Sequence, residues 1–266
     1  MISESTCPVP DGELHVERGG AGPALLLVPG GTGAAASYRA LAQRLAARYT
    51  VLAYDRRGHF GSTDSTEGPL TIARQADDAR AVIEHFGYGK ALVFGSSAGG
   101  AIGLELAIRH PDAVSGLVVH EPPTVGLLPD ADEWIRFAEE QAARSADGDV
   151  FGAFQEFLAS IAGAGLPPLK TVRLPHEHEW RLLFDRELVG IYRYLPDLDA
   201  LRRSPVPIVL TAGEGSRGYY HYRPARALAL ELGLPFVELP GAHLAPQRNP
   251  EAFADALNTV LADLVL

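Results

Sequence analysis

Short apolar runs alternate with amphipathic segments over most of the 266 residues, and few folds accommodate this pattern. A run such as LLLV or ALVF, apolar at every position, is typical of a parallel strand whose two faces are covered by helices. The alternation therefore predicts an α/β fold with a doubly wound, mostly parallel sheet. The predicted strands are 14–17, 24–28, 50–54, 91–94, 115–119, 208–211 and 236–239. The predicted helices are 37–48, 72–86, 98–109, 223–232 and 250–264.

The alternation stops between residues 122 and 201, where the sequence contains no convincing strand. Aromatic residues are dense there and are mixed with charges and prolines. We predict a helical cap, or lid, inserted after the strand at 115–119. Residues 1–121 and 202–266 then form the core, and residues 122–201 form the cap. The alternative is a second, independent domain.

The composition disfavours several classes of partner. Lys and Arg number 23 against 33 Asp and Glu, a net charge of −10, so a nucleic-acid partner is not expected. The N-terminus lacks a secretory pattern, and no apolar stretch approaches the roughly 20 residues of a membrane span. We expect a cytoplasmic protein without a membrane partner. A single cysteine, Cys7, excludes an internal disulfide framework. The sequence carries no prediction of the oligomeric state.

A G-x-S-x-G pattern follows the predicted strand at 91–94. The segment is GSSAGG at 95–100, and a predicted helix begins near Ala98. A tight turn from strand to helix strains its central residue and requires small neighbours. We therefore predict that Ser97 is a nucleophile and that the Ala98 N–H points to the place where an oxyanion forms. The alternative is a glycine-rich turn without chemistry.

A serine hydroxyl is a poor nucleophile unless a base takes its proton. His243 follows the last predicted strand and precedes the last helix, which is where such a base is expected. His120, at the end of a strand, is the nearest competitor, and His243 as a plain polar loop residue is the alternative. The remaining histidines are assigned to early or cap segments: His15, His59, His85, His110, His176, His178 and His221.

A carboxylate must hold the imidazole in the correct tautomer and stabilise its charged form. Two strand ends offer one. Glu121 lies just beyond the strand at 115–119, and Glu214 lies beyond the strand at 208–211. We predict that Glu121 is the acid and keep Glu214 as the alternative.

The glycine-rich loop PGGTG at 29–33 follows another predicted strand. It allows a second backbone N–H, that of Gly31, to approach the oxyanion site. The spacing Gly31-x-Gly33-x-x-Ala36 also matches a dinucleotide-binding fingerprint, with Asp55 found 19 residues further on. A nucleotide-dependent oxidoreductase is therefore an alternative class, but it leaves Ser97 unexplained.

The run HEHE at 176–179 is the only sequence that suggests a metal site. It lacks the pair of histidines four residues apart that binds zinc from one helix face. We expect a solvated cap segment there, and neither a metal nor a cofactor is predicted.

These pieces together resemble the α/β-hydrolase superfamily over about residues 12–264. The sequence YDRRGHFGS at 54–62 is similar to the family's D-x-R-G-x-G-x-S stretch, which implies a structural role for Asp55. The cap falls where the family inserts its lid, after the sixth strand. The residues that match the family's nucleophile, base and two oxyanion donors are Ser97, His243, Gly31 and Ala98.

The chain departs from the family pattern at two places. Pro29-Gly30 replaces the usual H-G dipeptide, as in the P-G-G variant of some members, and Ser216 stands where an Asp usually follows the seventh strand. Haloalkane dehalogenases resemble the other arrangement, with the acid after the sixth strand, and Glu121 matches that position. Their nucleophile is an Asp, so Ser97 argues against dehalogenation.

The resemblance implies a serine hydrolase that cleaves an ester, lactone or thioester of a small, largely apolar substrate through an acyl-enzyme on Ser97. The alternative is an enzyme of this fold that catalyses cyclisation, elimination or isomerisation, or a non-catalytic binding protein, in secondary metabolism. The expected partner in either case is a small molecule.

Overall fold

One eight-stranded sheet organises the protein in the computed structural model, which describes residues 2–161 and 176–264. The strand order is β1-β2-β4-β3-β5-β6-β7-β8, and all neighbours from β4 to β8 are parallel. β2 is antiparallel to both β1 and β4. The strands are β1 (Ile2–Val9), β2 (Gly12–Gly20), β3 (Ala24–Val28), β4 (Thr50–Tyr54), β5 (Ala91–Ser96), β6 (Val114–His120), β7 (Ile208–Gly213) and β8 (Phe236–Leu239).

Helices cover both faces of the sheet. α1 and α11 pack against each other on one face, and α2 and α3 pack against each other on the opposite face. The helices outside the segment between β6 and β7 are α1 (Arg39–Leu45), α2 (Ile72–His85), α3 (Ala98–Arg109), α9 (Tyr222–Leu232), α10 (Ala245–Arg248) and α11 (Pro250–Asp263). The fully buried strands β3, β4 and β5 lie between the two layers, as their largely apolar sequences predict.

The described residues of the segment between β6 and β7 form five α-helices and no strand. We call residues 122–201 the insertion; its residues 162–175 lie outside the described part of the chain. The helices of the described segment between β6 and β7 are α4 (Ala131–Ala146), α5 (Val150–Ile161), α6 (Glu177–Leu182), α7 (Leu188–Arg193) and α8 (Leu198–Arg203), and a π-helical turn (Leu183–Glu187) joins α6 to α7.

The doubly wound α/β sheet predicted from the sequence is confirmed, and the seven predicted strands all occur. Two local expectations are wrong. The N-terminal strand β1 was not predicted, and the helix expected at 37–48 is a 3-10 turn (Ala35–Tyr38) followed by the seven-residue α1. No helix in the described residues has both the length and the apolar character that membrane crossing requires.

Candidate active site

The candidate nucleophile Ser97 occupies a strained turn between β5 and α3. Its φ of 56° and ψ of −125° lie in a region that residues other than glycine rarely adopt. The turn is tight: a Cβ on Gly95 would lie 2.2 Å from the carbonyl oxygen of Gly99, and a Cβ on Gly99 would lie 2.1 Å from that of Val28. The Ser97 N–H donates to the carbonyl of His120 at 2.8 Å. Neighbouring strands thus hold the serine in this conformation.

Ser97 lines a small cavity together with Gly31 and Ala98, the two candidate oxyanion donors. Neither of their backbone N–H groups has an acceptor among the described residues. Ala98 is the first residue of α3, whose N-terminus carries partial positive charge and whose first N–H groups have no partner within the helix. Both N–H groups are therefore available to a negatively charged oxygen.

The rest of the cavity is largely apolar, and most of it comes from the insertion. Its volume is about 10 Å³, room for about one water molecule. The apolar lining consists of Pro123, Phe157, Ile161, Leu183, Leu188 and Ile191. Two tyrosines complete the lining, Tyr192 of α7 and Tyr220 of the segment before α9, and their hydroxyl groups are 2.5 Å apart. This hydrogen bond joins the insertion to the core beside Ser97.

Glu121 and His243 form a buried pair at the carboxyl ends of β6 and β8. His243 Nδ1 donates to Glu121 Oε2 at 2.7 Å, and the Gly213 N–H donates to Glu121 Oε1 at 2.8 Å. Burial acts to raise the pKa of the Glu121 carboxyl. The hydrogen bond from His243 and the nearby imidazoles outweigh burial and hold that pKa well below its usual range. Glu121 is therefore an anion that can orient His243 and stabilise its protonated form.

The structure places Glu121 in contact with His243 and leaves the alternative acid, Glu214, exposed in a 3-10 turn (Glu214–Ser216).

Within the described residues, the Ser97 hydroxyl makes no hydrogen bond, including none to His243. Such bonds are often long before a substrate is bound.

His120, the competing base, is buried and hydrogen-bonded within the core. Its Nδ1 lies 3.1 Å from the hydroxyl of Thr211, and its ring packs edge-on against Phe253. Burial lowers the pKa of His120 to about 4. The side chain is thus a neutral part of the core.

The assignment of His221 to an early or cap segment is wrong. His221 precedes α9 on the core side of the chain, and its Nε2 is 3.5 Å from Glu121 Oε2. Its ring lies 4.6 Å from that of His243, measured between centroids. The only indication in the sequence was its position eight residues beyond β7.

Glu121, His221 and His243 could also form a metal site, because their potential metal-ligating atoms lie within 4.8 Å of one another. However, a direct Nδ1–Oε2 hydrogen bond already joins His243 to Glu121.

The structure argues against a dinucleotide-binding role for the loop at 29–33, because the acidic residue of that fingerprint, Asp55, is already hydrogen-bonded within the protein. The Asp55 carboxylate accepts hydrogen bonds from the N–H groups of Ala35 at 2.7 Å and Gly61 at 3.0 Å, so both oxygens are occupied. The loop also leads into a 3-10 turn rather than the start of a long helix.

In the HEHE run at 176–179, Glu179 forms a hydrogen bond with the ring of His59.

Known proteins match this chain in sequence and in structure. The family model of the alpha/beta hydrolase fold matches residues 23–187. The uncharacterized hydrolase YraK of Bacillus subtilis is 33% identical over 269 residues, 98% of this chain and 96% of the relative.

Two solved structures extend the match. An alpha/beta hydrolase from Sphaerobacter thermophilus is 26% identical with a TM-score of 0.73, covering 98% of this chain and 100% of that one. A thermophilic esterase from Thermogutta terrifontis has a TM-score of 0.76 at 21% identity, covering 100% of both chains. With matches over nearly its whole length, the chain belongs to the alpha/beta hydrolase family of enzymes.

Proposed function

We propose that this protein is a serine hydrolase that cleaves an ester, lactone or thioester of a small, largely apolar substrate. The observation that carries the proposal is the strained Ser97, which faces a cavity beside the N–H groups of Gly31 and Ala98, neither of which has an acceptor in the described part of the chain. A strained turn of this kind exposes a nucleophile, and the two N–H groups offer an oxyanion hole.

In the proposed reaction, Ser97 Oγ attacks the substrate carbonyl carbon while His243 Nε2 takes the hydroxyl proton. The carbonyl oxygen becomes an oxyanion and accepts hydrogen bonds from Gly31 and Ala98, each of which is worth about 3 kcal/mol to the transition state. His243 then gives its proton to the leaving alcohol or thiol. A water molecule, deprotonated by His243, hydrolyses the acyl-enzyme and restores Ser97. Glu121 stabilises the imidazolium form of His243 in both steps.

The insertion supports the assignment of an apolar substrate. We propose that residues 122–201 are a cap over a core made of residues 1–121 and 202–266. The cap supplies most of the apolar lining beside Ser97. Because the cavity holds about one water molecule, a substrate enters only when the cap moves.

The test is the intact mass of the protein after incubation with a fluorophosphonate probe. We expect one adduct on the wild type and none on Ser97→Ala, and the same variant loses roughly four to six orders of magnitude in ester turnover. Ser65→Ala, at an exposed serine, is the matched control and keeps the adduct. Labelling of Ser97→Ala, or its near-wild-type activity, contradicts the proposal.

A second candidate is non-hydrolytic chemistry on the same fold (cyclisation, elimination or isomerisation) or plain ligand binding. It is favoured by the absence of a hydrogen bond between the described side chains of Ser97 and His243. It predicts a folded wild-type protein that the probe does not label.

A further inference from the structure

We propose that His221 is a positioning residue that holds the Glu121 carboxylate in place from the β7 side of the site. This inference deepens the proposed function and rests on it. His221 touches neither the cavity nor Ser97; it acts through Glu121, which in turn orients His243.

The contact lies in a fully enclosed part of the core. His221 Nε2 is 3.5 Å from Glu121 Oε2 and 3.2 Å from the hydroxyl oxygen of Ser216. The exposed fractions are 1% for His221 and 0% for Glu121 and Ser216. Water does not compete for these polar atoms, so their mutual arrangement decides their energies.

Electrostatics assign the proton of His221 to Nε2. Burial lowers the pKa of this imidazole to about 3, so the ring is neutral and carries one N–H. A proton on Nδ1 would aim the Nε2 lone pair at the Glu121 anion, and Nδ1 has no hydrogen-bond partner among the described residues. A proton on Nε2 lies instead between two acceptors, Glu121 Oε2 and Ser216 Oγ.

The surroundings of His221 contain one fixed anion. The titratable groups facing the ring are Glu121, His120, His243, Tyr219 and Tyr220, and the backbone carbonyl of Ser160 lies nearby. Glu121 is the only carboxylate in this set, so it is the group that an Nε2–H stabilises most.

The arrangement gives Glu121 two supports from the end of β7. The Gly213 N–H donates to Oε1, and His221 Nε2–H faces Oε2, the oxygen that also accepts from His243, at a distance of 3.5 Å. Glu121 itself has a φ of 47°, a strained conformation that its surroundings must maintain. Ser216, which stands where the family usually has its acid, is here the second acceptor for His221.

Two substitutions of similar size, His221→Gln and His221→Asn, distinguish a role of His221 in positioning Glu121 from a role in core packing alone. Glutamine at 221 can place its amide nitrogen near the position of Nε2, whereas asparagine reaches only the position of Nδ1. We expect His221→Gln to stay close to the wild-type kcat and His221→Asn to lose about 10-fold in kcat with KM unchanged. We expect the acidic limb of the kcat/KM pH profile to move upward in His221→Asn alone, because the Glu121 carboxylate then faces one N–H dipole fewer.

A second readout needs no substrate. We expect the proton between His243 Nδ1 and Glu121 to give a far-downfield NMR resonance that shifts in His221→Asn and not in His221→Gln. Equal losses in both variants, with the pH profile and the resonance unmoved, overturn the inference. A wild-type protein that is neither labelled by the probe nor active on esters overturns the proposed function instead, and the resonance then still decides the role of His221.

Discussion

Two buried clusters of histidine and glutamate differ in how many carboxylates each imidazole faces. In the Glu121 cluster, one carboxylate serves His120, His221 and His243. Burial lowers the pKa of His120 to about 4 and that of His221 to about 3, and the single carboxylate does not compensate for it. Both rings are therefore neutral at neutral pH.

The second cluster, which we call the Arg56 cluster, consists of Arg56, His59, Glu179 and Glu187. In it, His59 lies between the two carboxylates. Its Nδ1 is 3.2 Å from Glu179 and its Nε2 is 3.1 Å from Glu187. Burial acts to lower the pKa of His59, but the charge of Glu187 and the hydrogen bonds to both carboxylates outweigh burial and raise it. Arg56 binds Glu187 at 2.5 Å and 3.0 Å.

The comparison shows that charge balance, and not residue type, decides what a buried histidine does. In the Arg56 cluster Arg56 and His59 of the core meet two carboxylates from the insertion, so the charge of the carboxylates favours the protonated form of His59, and the contacts hold the two parts of the chain together. In the Glu121 cluster the imidazoles outnumber the carboxylate. Burial therefore decides the protonation of His120 and His221, which stay neutral.

The largest expected effect follows from removing the charge of Glu121. Glu121→Gln should lower kcat on an ester substrate by about 10⁴-fold, because an amide does not stabilise the imidazolium of His243 and favours the wrong tautomer. Steady-state kinetics measure it. The matched control is Glu214→Gln, at an exposed carboxylate, which should leave kcat unchanged. The reverse order of the two variants would move the acid to Glu214.

The equivalent change in the Arg56 cluster should affect stability rather than turnover. Glu187→Gln leaves the guanidinium of Arg56 buried without a carboxylate partner among the described residues, which costs about 3–5 kcal/mol in the free energy of unfolding. Denaturant unfolding measures the loss. Glu177→Gln, on the same helical segment but exposed, is the control and should cost less than about 0.5 kcal/mol. A loss of turnover without a loss of stability would contradict the distinction between the clusters.

The sequence predicted those parts of the fold whose cause is local. The apolar strands and the turn at Ser97 are examples, because periodicity and small neighbours act over a few residues. β1 was missed because half of its sequence, ISESTCPV, is polar and only Cys7 is fully buried; its pairing with β2 defines it as an edge strand.

Long-range contacts divide into two kinds. The carboxyl ends of parallel strands meet at one edge of a sheet, so topology predicted that an acid at a strand end, Glu121 or the alternative Glu214, would lie near His243; in the structure it is Glu121. The pairing of Arg56 with Glu187, 131 residues apart, and of His221 with Glu121 depends on how loops and the insertion pack. No periodicity encodes such packing, so these contacts could not be predicted.

The smallest effect is a difference in how stability depends on pH. His59 has a folded-state pKa above its ordinary value of 6.5, so the stability it contributes is full below pH 6.5 and is lost as the pH rises through the folded-state pKa. His221 has the opposite sign: its lowered pKa costs stability as the pH falls from 6.5 toward about 3. His59→Gln should therefore flatten the alkaline side of the stability curve, by up to about 1.4 kcal/mol per pH unit, and His221→Gln the acidic side.

Urea unfolding at a series of pH values measures both slopes. His85→Gln, at an exposed histidine of α2, is the control and should change neither side. If His59→Gln instead flattened the acidic side, His59 would be neutral in the folded protein. Arg56 would then be the only cation of the cluster opposite the two carboxylates of the insertion. The contrast in charge between the two clusters would be lost.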